Sequence, residues 1–345
     1  MPPTPLQTTG PFDPPWWMRG RRAQTGLAGL KFRRDPDTAM HRASVAKIID
    51  AGTGADGNPV RLLGHYSRHP KERGLVILFH GWEGSEQSTY VQTTANRLYD
   101  RGLSVFRMVY RDHGESHHLN EGIFLAPHFA EVLEATRQAA KLAKELPVYI
   151  VGFSLGGNYA LRVAARHEQE AIKGLAHVFA ISPVIDPLDG APLVDKFPLI
   201  RRYFHRKWTG SLARKQEAFP HLYDFSGMLK TRSILELTDY VLPRYTQFPD
   251  RASYFNAYRI KQDALADTRL PVSIITARDD PIIPPSHVEA LDVSEAVELI
   301  MLDHGGHNGF FDSLRGPAWY ERYIWNRLGL DAALREHVSV ESGYA

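Results

Sequence analysis

A serine between two glycines is the first candidate for chemistry in this sequence. Residues 152–156 read Gly-Phe-Ser-Leu-Gly and directly follow the apolar run 148–151. The residues after the serine, 155–167, have the composition of a helix. A strand that turns sharply into a helix through Gly-x-Ser-x-Gly holds its serine on a tight turn and exposes the hydroxyl. This context, more than the pentapeptide itself, predicts that Ser154 is a nucleophile.

Two neighbouring carboxylates are candidates for the acid of such a site. A serine nucleophile needs a base that accepts its proton, and the base needs an acid that orients it. Asp279 and Asp280 follow the predicted strand 271–277. Asp280, directly before Pro281, lies further past the strand, where the loop turns toward the serine. We therefore predict Asp280 as the acid and Asp279 as a turn or cap residue.

Two histidines are candidates for the base. His304 and His307 follow the predicted strand 297–302, and two glycines separate them. The glycines suit a loop that brings an imidazole close to another segment, so we predict His307 as the base and His304 as a packed or surface residue. The carboxyl ends of parallel strands lie along one edge of a sheet, where Ser154 is also expected. The chain order serine, aspartate, histidine is that of the α/β-hydrolases.

The loop after the predicted strand 75–79 is the candidate for binding an oxyanion. Backbone N–H groups that are placed in advance usually supply this interaction. Residues 80–84 read His-Gly-Trp-Glu-Gly, and the two glycines allow a tight bend. We predict that the N–H groups of Trp82 and of Leu155, the residue after the serine, form the oxyanion hole. The same glycines are typical of a plain strand-to-helix connection, and both interpretations hold together.

The elements that must position these residues alternate along the chain. Residues 41–186 and 268–330 show strand-like and helical segments in turn, which is typical of a mostly parallel sheet with helices on both faces. One helix is expected from about residue 85 to residue 100. We therefore predict an α/β fold of the α/β-hydrolase type. Residues 187–267 lack this alternation and are rich in aromatics, which predicts a helical cap insertion, although more core fits the composition nearly as well.

The two ends of the chain are predicted to lie outside the sheet. Residues 1–40 contain several prolines and the pair Trp16-Trp17, so we expect an N-terminal arm whose aromatic side chains dock on the core. Residues 331–345 are expected to form a C-terminal surface tail.

Length and composition exclude several classes of protein. The chain has 345 residues, a formal net charge of +2 and no cysteine. So small a charge does not indicate nucleic-acid binding, and disulfides, thiolate metal sites and a cysteine nucleophile are excluded. The run 52–57 matches Gly-x-Gly-x-x-Gly, but a second strand-like run follows it where a dinucleotide site requires a helix. We therefore predict chemistry that needs no cofactor and no metal.

The first residues and the distribution of apolar side chains bear on location. Residues 1–17 are rich in proline and lack the basic and apolar regions of a signal peptide. No apolar run approaches the roughly 18 residues that a membrane-spanning helix needs. We expect a soluble, cytoplasmic protein whose oligomeric state the sequence leaves open.

Two polar segments have an open role. The first contains the potential metal ligands His113, His117, His118 and Glu121. Their spacing would suit a metal only on a helix, and Gly114 argues against one, so we prefer a hydrogen-bonding loop beside the site. The basic run 201–215 is interleaved with aromatics and suits an anionic membrane surface. A basic run of this kind more usually forms the solvated face of a helix, here a helix of the cap.

Taken together, these motifs resemble the YheT-like branch of the α/β-hydrolases, esterases related to eukaryotic abhydrolase-domain lipases. The resemblance covers most of the chain and rests on residues 12–17, Gln24-Thr25, and residues 80–85, 111–114, 152–158, 279–281 and 305–310. It implies carboxylic ester hydrolysis by Ser154, His307 and Asp280. Where the family usually has a histidine before Gln-Thr, this chain has Ala23, which weakens inferences about the N-terminal arm.

The function predicted from these residues is hydrolysis of carboxylic esters with short or medium acyl chains, the partner being a small-molecule ester. A lipid-directed lipase or acyltransferase would use the same residues, with lipid-like esters as substrates. A binding module without turnover is the alternative from another class. Dehalogenase and epoxide hydrolase chemistry is disfavoured, because those enzymes of this fold have aspartate where Ser154 stands.

Overall fold

An eight-stranded sheet runs through the centre of the computed structural model, which describes residues 9–54 and 57–330. The strands are β1 (Ser44–Thr53), β2 (Pro59–Ser67), β3 (Gly74–Phe79), β4 (Leu103–Val109), β5 (Val148–Phe153), β6 (Leu175–Ile181), β7 (Val272–Ala277) and β8 (Val297–Leu302). Their order is β1-β2-β4-β3-β5-β6-β7-β8. Strand β2 is antiparallel to β1 and β4, and all other neighbours are parallel. The α/β-hydrolase fold predicted from the sequence is confirmed.

Eleven α-helices accompany this sheet in the described part of the chain. They are α1 (Arg21–Gly29), α2 (Ala39–Arg42), α3 (Thr89–Tyr99), α4 (Phe129–Ala140), α5 (Leu155–Arg166), α6 (Pro187–Lys196), α7 (Pro198–Ala218), α8 (Ile234–Tyr245), α9 (Arg251–Asn256), α10 (Pro285–Glu289) and α11 (Trp319–Arg327). Helix α3 begins four residues later than the sequence predicts, because residues 85–88 form a turn in which Ser88 Oγ accepts from the Ser85 N–H.

Both faces of the sheet are covered, and strand β3 shows how. Every residue of this strand is buried. Val76 and Leu78 pack in a core cluster with apolar residues of α3 and α11. Leu75, Ile77 and Phe79 pack in a second cluster with residues of α4 and α5. Alternate side chains of a strand point to opposite faces, so the all-apolar strand serves two cores at once.

The segment between β6 and β7 is helical and holds helices α6 to α9. Helix α7 is tied to the loop after β4 by a buried ion pair, in which Lys215 Nζ lies 2.9 Å from Asp112 Oδ1. Lys215 is only 1% exposed, and its ammonium also donates to the carbonyl oxygen of Gly122. A buried ammonium with several acceptors is strongly position-specific. This contact fixes the helical segment above the carboxyl edge of the sheet.

The N-terminal segment packs on the sheet, but not through its tryptophans. Trp16 and Trp17 are 82% and 50% exposed, so the expectation that they dock on the core is wrong. A turn closed by the hydrogen bond from the Met18 N–H to the Pro15 carbonyl directs Met18 inward instead. Met18 is fully buried, and helix α1 follows it. The predicted tail, residues 331–345, lies outside the described residues.

Candidate active site

The turn between β5 and α5 carries Ser154 in a conformation that ordinary residues avoid. Its φ is 55° and its ψ is −114°. A Cβ added at Gly152 would lie 2.1 Å from the Gly156 carbonyl oxygen, and one at Gly156 would lie 2.3 Å from the Phe79 carbonyl oxygen. Both positions therefore require glycine. This strained turn presents the serine at the carboxyl end of β5, and such strain is typical of functional sites.

Three side chains from separate loops form one chain of hydrogen bonds. Ser154 Oγ lies 2.9 Å from His307 Nε2, and His307 Nδ1 lies 2.9 Å from Asp280 Oδ2. The other carboxyl oxygen of Asp280 accepts from the N–H groups of Ile282 and Ile283 at 2.8 and 3.0 Å. The carboxyl is thus fixed by its own loop. Because it accepts from Nδ1–H, Nε2 is left to accept the serine proton.

The two neighbouring candidates take other positions. Asp279 Oδ1 accepts from the Gly306 N–H at 2.8 Å and so supports the loop that carries His307. Partial burial raises the pKa of Asp279 above its usual value. His304 is half-buried and makes no hydrogen bond to Ser154 or Asp280 within the described chain.

Two hydrogen bonds hold the loop after β3 directly before Trp82. The Gly81 N–H donates to the Tyr90 hydroxyl at 2.9 Å, and His80 Nδ1 donates to the Gly81 carbonyl at 2.8 Å. Burial lowers the pKa of His80 well below its ordinary value, so the ring is neutral. Neither the Trp82 N–H nor the Leu155 N–H has an acceptor among residues 9–54 and 57–330. Both residues also line the cavity that contains Ser154.

Sequence reasoning missed a support for the histidine loop that comes from the N-terminal segment. Gln24 Nε2 donates to the Phe311 carbonyl at 2.8 Å, and Gln24 Oε1 accepts from the Phe311 N–H at 2.8 Å. Thr25 Oγ1 accepts from the His307 N–H at 2.9 Å. The Gln24-Thr25 pair in the family resemblance was the only sequence signal for this contact.

The histidines with an open role form hydrogen bonds within the protein. His113 Nε2 accepts from the Glu83 N–H at 3.2 Å, and His117 Nε2 lies 2.9 Å from Ser211 Oγ on α7. Burial lowers the pKa of His113 to about 4 and that of His117 to about 3. His118 is exposed. Residues 9–54 and 57–330 contain no group of three or more side chains arranged to bind a metal.

A cavity of about 1070 Å³ opens onto Ser154 and His307. Residues within 22–34 and 81–90 line one part of it, and the loop after β4 and helices α7 to α9 supply apolar residues that include Ile123, Leu125, Leu212, Val241, Leu242 and Phe255. Trp82 also lines the cavity and stacks on Phe204, with ring centroids 5.4 Å apart. The helical segment therefore supplies part of the apolar wall of the cavity at the serine.

Comparison with known proteins defines the class. Residues 76–337 match the alpha/beta hydrolase family, and the chain belongs to this family. No curated protein matches the chain. Within the described residues, no helix combines the length and the apolar character needed to cross a membrane.

Solved structures share the fold at low sequence identity. An esterase from Pyrococcus furiosus is 18% identical, with a TM-score of 0.50 over 86% of this chain and 96% of that one. A 2,6-dihydroxy-pseudo-oxynicotine hydrolase is 18% identical, with a TM-score of 0.53 over 84% and 69%. A serine hydrolase from Cycloclasticus zankles is 16% identical, with a TM-score of 0.52 over 83% and 96%. At these identities the likeness shows the fold alone.

Proposed function

We propose that this protein is a serine hydrolase that cleaves carboxylic esters through an acyl-enzyme intermediate. The observation that carries the proposal is the hydrogen-bonded chain from Ser154 Oγ through His307 to Asp280. A serine on a strained turn beside a histidine oriented by a carboxyl is the arrangement that activates a hydroxyl nucleophile. The esterase and serine hydrolase among the structural neighbours are consistent with it.

Each side chain takes one role in this mechanism. Ser154 Oγ attacks the ester carbonyl carbon while His307 Nε2 takes the hydroxyl proton, and Asp280 stabilises the imidazolium that forms. The N–H groups of Trp82 and Leu155 donate to the oxyanion. When the tetrahedral intermediate collapses, the proton passes to the leaving alcohol. Water then attacks the acyl-enzyme with His307 as base, which releases the acid and restores the serine.

The size of the cavity bears on the length of acyl chain that the protein accepts. Ligand sites usually have volumes of roughly 300–1,000 Å³, and this cavity reaches about 1070 Å³ with a mostly apolar wall. The sequence alone favoured short or medium acyl chains. The cavity supports a second candidate, a lipid-directed enzyme that accepts long acyl chains. The motif resemblance supports placing the chain in the YheT-like branch, which remains part of this proposal.

A panel of p-nitrophenyl esters from acetate to palmitate tests the proposal. We expect hydrolysis by the native protein and a loss of about 10⁴-fold or more for Ser154→Ala. Ser286→Ala is the matched control, because Ser286 is an exposed serine on helix α10. It should retain activity within about twofold. Full ester cleavage by Ser154→Ala would contradict the assignment.

Two further measurements separate the competing functions. Covalent labelling of Ser154 by a fluorophosphonate excludes an inert binding module, since only an activated serine reacts. Product analysis with an added alcohol distinguishes the remaining two. Free acid as the main product supports a hydrolase, and a new ester supports an acyltransferase.

A further inference from the structure

Glu83, directly after Trp82, is a buried acid in the wall of the cavity that contains Ser154. The residue is 9% exposed and lines the cavity. Its main chain is fixed at both ends, since its N–H donates to His113 Nε2 at 3.2 Å and its carbonyl accepts from Lys207 Nζ at 3.0 Å. Its φ is 55°. These contacts fix the backbone that carries the side chain, so Glu83 does not lie on a flexible loop.

The Glu83 carboxyl has no hydrogen-bond partner among the described residues, although its main chain has two. Its oxygens are not sealed by protein either, in contrast to Oδ2 of Asp279, which is enclosed and unpaired. Because Glu83 lines the cavity, a carboxyl that is neither paired nor sealed is placed to meet a ligand there. A ligand atom can therefore reach it.

A buried carboxyl without a partner destabilises a fold. Burial raises the pKa of Glu83 to about 8, and the nearby cations Lys207 and Arg214 offset this only in part. A carboxyl that keeps its proton near neutral pH both donates and accepts hydrogen bonds. Such a costly group beside a nucleophile is expected to gain its partner when the cavity is filled.

The surroundings of Glu83 limit what that partner is. Electrostatic interactions link Glu83 to Tyr203 and Lys207, and Lys207 to Arg34, and all four residues line the cavity. The cations disfavour a positively charged ligand group, and an anion can accept a hydrogen bond from Glu83 only while the carboxyl keeps its proton. A neutral hydroxyl, which donates and accepts, suits this mixed wall best.

We propose that Glu83 is a specificity-determining residue whose carboxyl hydrogen-bonds a hydroxyl group of the substrate, so that the protein prefers hydroxylated esters to plain alkyl esters. The inference rests on the proposed function. It adds a polar subsite to the mostly apolar cavity, and the two together suit an amphipathic ester.

Matched pairs of esters test this proposal. The pair 2-hydroxyethyl butanoate and propyl butanoate carries or lacks a hydroxyl on the alcohol side, and ethyl 3-hydroxybutanoate and ethyl butanoate do so on the acyl side. We expect kcat/KM to favour the hydroxylated member of at least one pair by about 10-fold or more. The pair that shows the preference locates the subsite.

Variants of Glu83 test whether the preference belongs to this side chain. Glu83→Leu should reduce the ratio of the two kcat/KM values to about one, and Glu83→Gln should retain part of it, because the amide oxygen still accepts. Glu86→Gln is the matched control, since Glu86 is a buried acid of the same loop that does not line the cavity. Its ratio should equal that of the native protein. Fluorophosphonate labelling of Ser154 in each variant shows that the serine site is intact.

The outcomes separate the two proposals. Equal rates for both members of both pairs, or a preference that Glu83→Leu leaves unchanged, overturns the role of Glu83 and leaves the proposed function standing. Absence of turnover of any ester by the native protein overturns the proposed function and this inference with it.

Discussion

Asp280 and Glu83 are two of the buried carboxyls beside the cavity, and they differ in their partners. Asp280, after β7, accepts hydrogen bonds from Ile282, Ile283 and His307. The side-chain carboxyl of Glu83, after β3, accepts none within the described chain. Their burial is nearly equal, at 8% and 9% exposed. Depth of burial therefore does not decide what a buried acid does. Donors supplied by the fold make Asp280 a rigid support, and their absence leaves Glu83 available to a ligand.

Asp280→Asn should give the largest effect on this comparison. The amide oxygen can still accept from the Ile282 and Ile283 N–H groups, but the amide NH₂ cannot accept from His307 Nδ1–H, so the ring takes the wrong tautomer. We expect a fall in kcat of about 10⁴-fold with little change in the unfolding midpoint. Steady-state kinetics and urea unfolding measure the two quantities. An activity close to that of the native protein would show that Asp280 does not orient the histidine.

Glu83→Gln should change stability instead, and it should make the protein more stable at alkaline pH. Because the pKa of Glu83 is raised to about 8, the folded protein holds a proton that the unfolded chain releases near pH 4.5. The native protein therefore loses stability as pH rises from about 4.5 to about 8. The glutamine variant escapes this loss, and we expect it to be more stable by roughly 2–4 kcal/mol at pH 8 and by much less at pH 5.

Urea unfolding of the native protein and of Glu83→Gln at the two pH values measures this difference. Glu86→Gln serves again as the control for a buried acid in the same loop. A loss of stability at both pH values would show that the carboxyl is paired in solution, and an equal gain at both would show that its pKa is not raised. Either result would remove the contrast with Asp280.

The smallest effect is expected for Asp279→Asn. An asparagine oxygen can still accept from the Gly306 N–H, so the support of the histidine loop is retained. We expect kcat/KM to stay within about threefold of the native value. If this variant instead loses activity as Asp280→Asn does, the two neighbouring acids act together, and the assignment of a single acid needs revision.

The sheet and the residues at its carboxyl edge could be predicted because their signals are local. The end of a strand is indicated by a few residues in each case: the apolar run before residue 152 with the two glycines around Ser154, and the polar residues after β7 and β8. Parallel pairing then places these ends at one edge. The roles of Ser154, Asp280, His307 and the oxyanion groups, like a cytoplasmic location, stay predictions that the experiments above address.

Contacts between distant parts of the chain could not be predicted. Apart from the Gln24-Thr25 pair of the family resemblance, nothing near Gln24 indicates that its amide contacts Phe311, since such a contact depends on how the folded surfaces fit. The exposed Trp16 and Trp17 show the same limit, because their hydrophobicity suggested docking and a local turn decided otherwise. Glu83 belongs here too. Its position in the loop was visible from the sequence, but its lack of a partner depends on what α7 brings to it.

The contact that Gln24 and Thr25 make with the histidine loop has a consequence for biosynthesis. Its hydrogen bonds join residues 282 and 287 positions apart, so a long stretch of chain is synthesised between its two halves. The earlier half must wait, unpaired, until the later one emerges. A nascent chain therefore holds its serine without a supported base until the histidine loop has been synthesised.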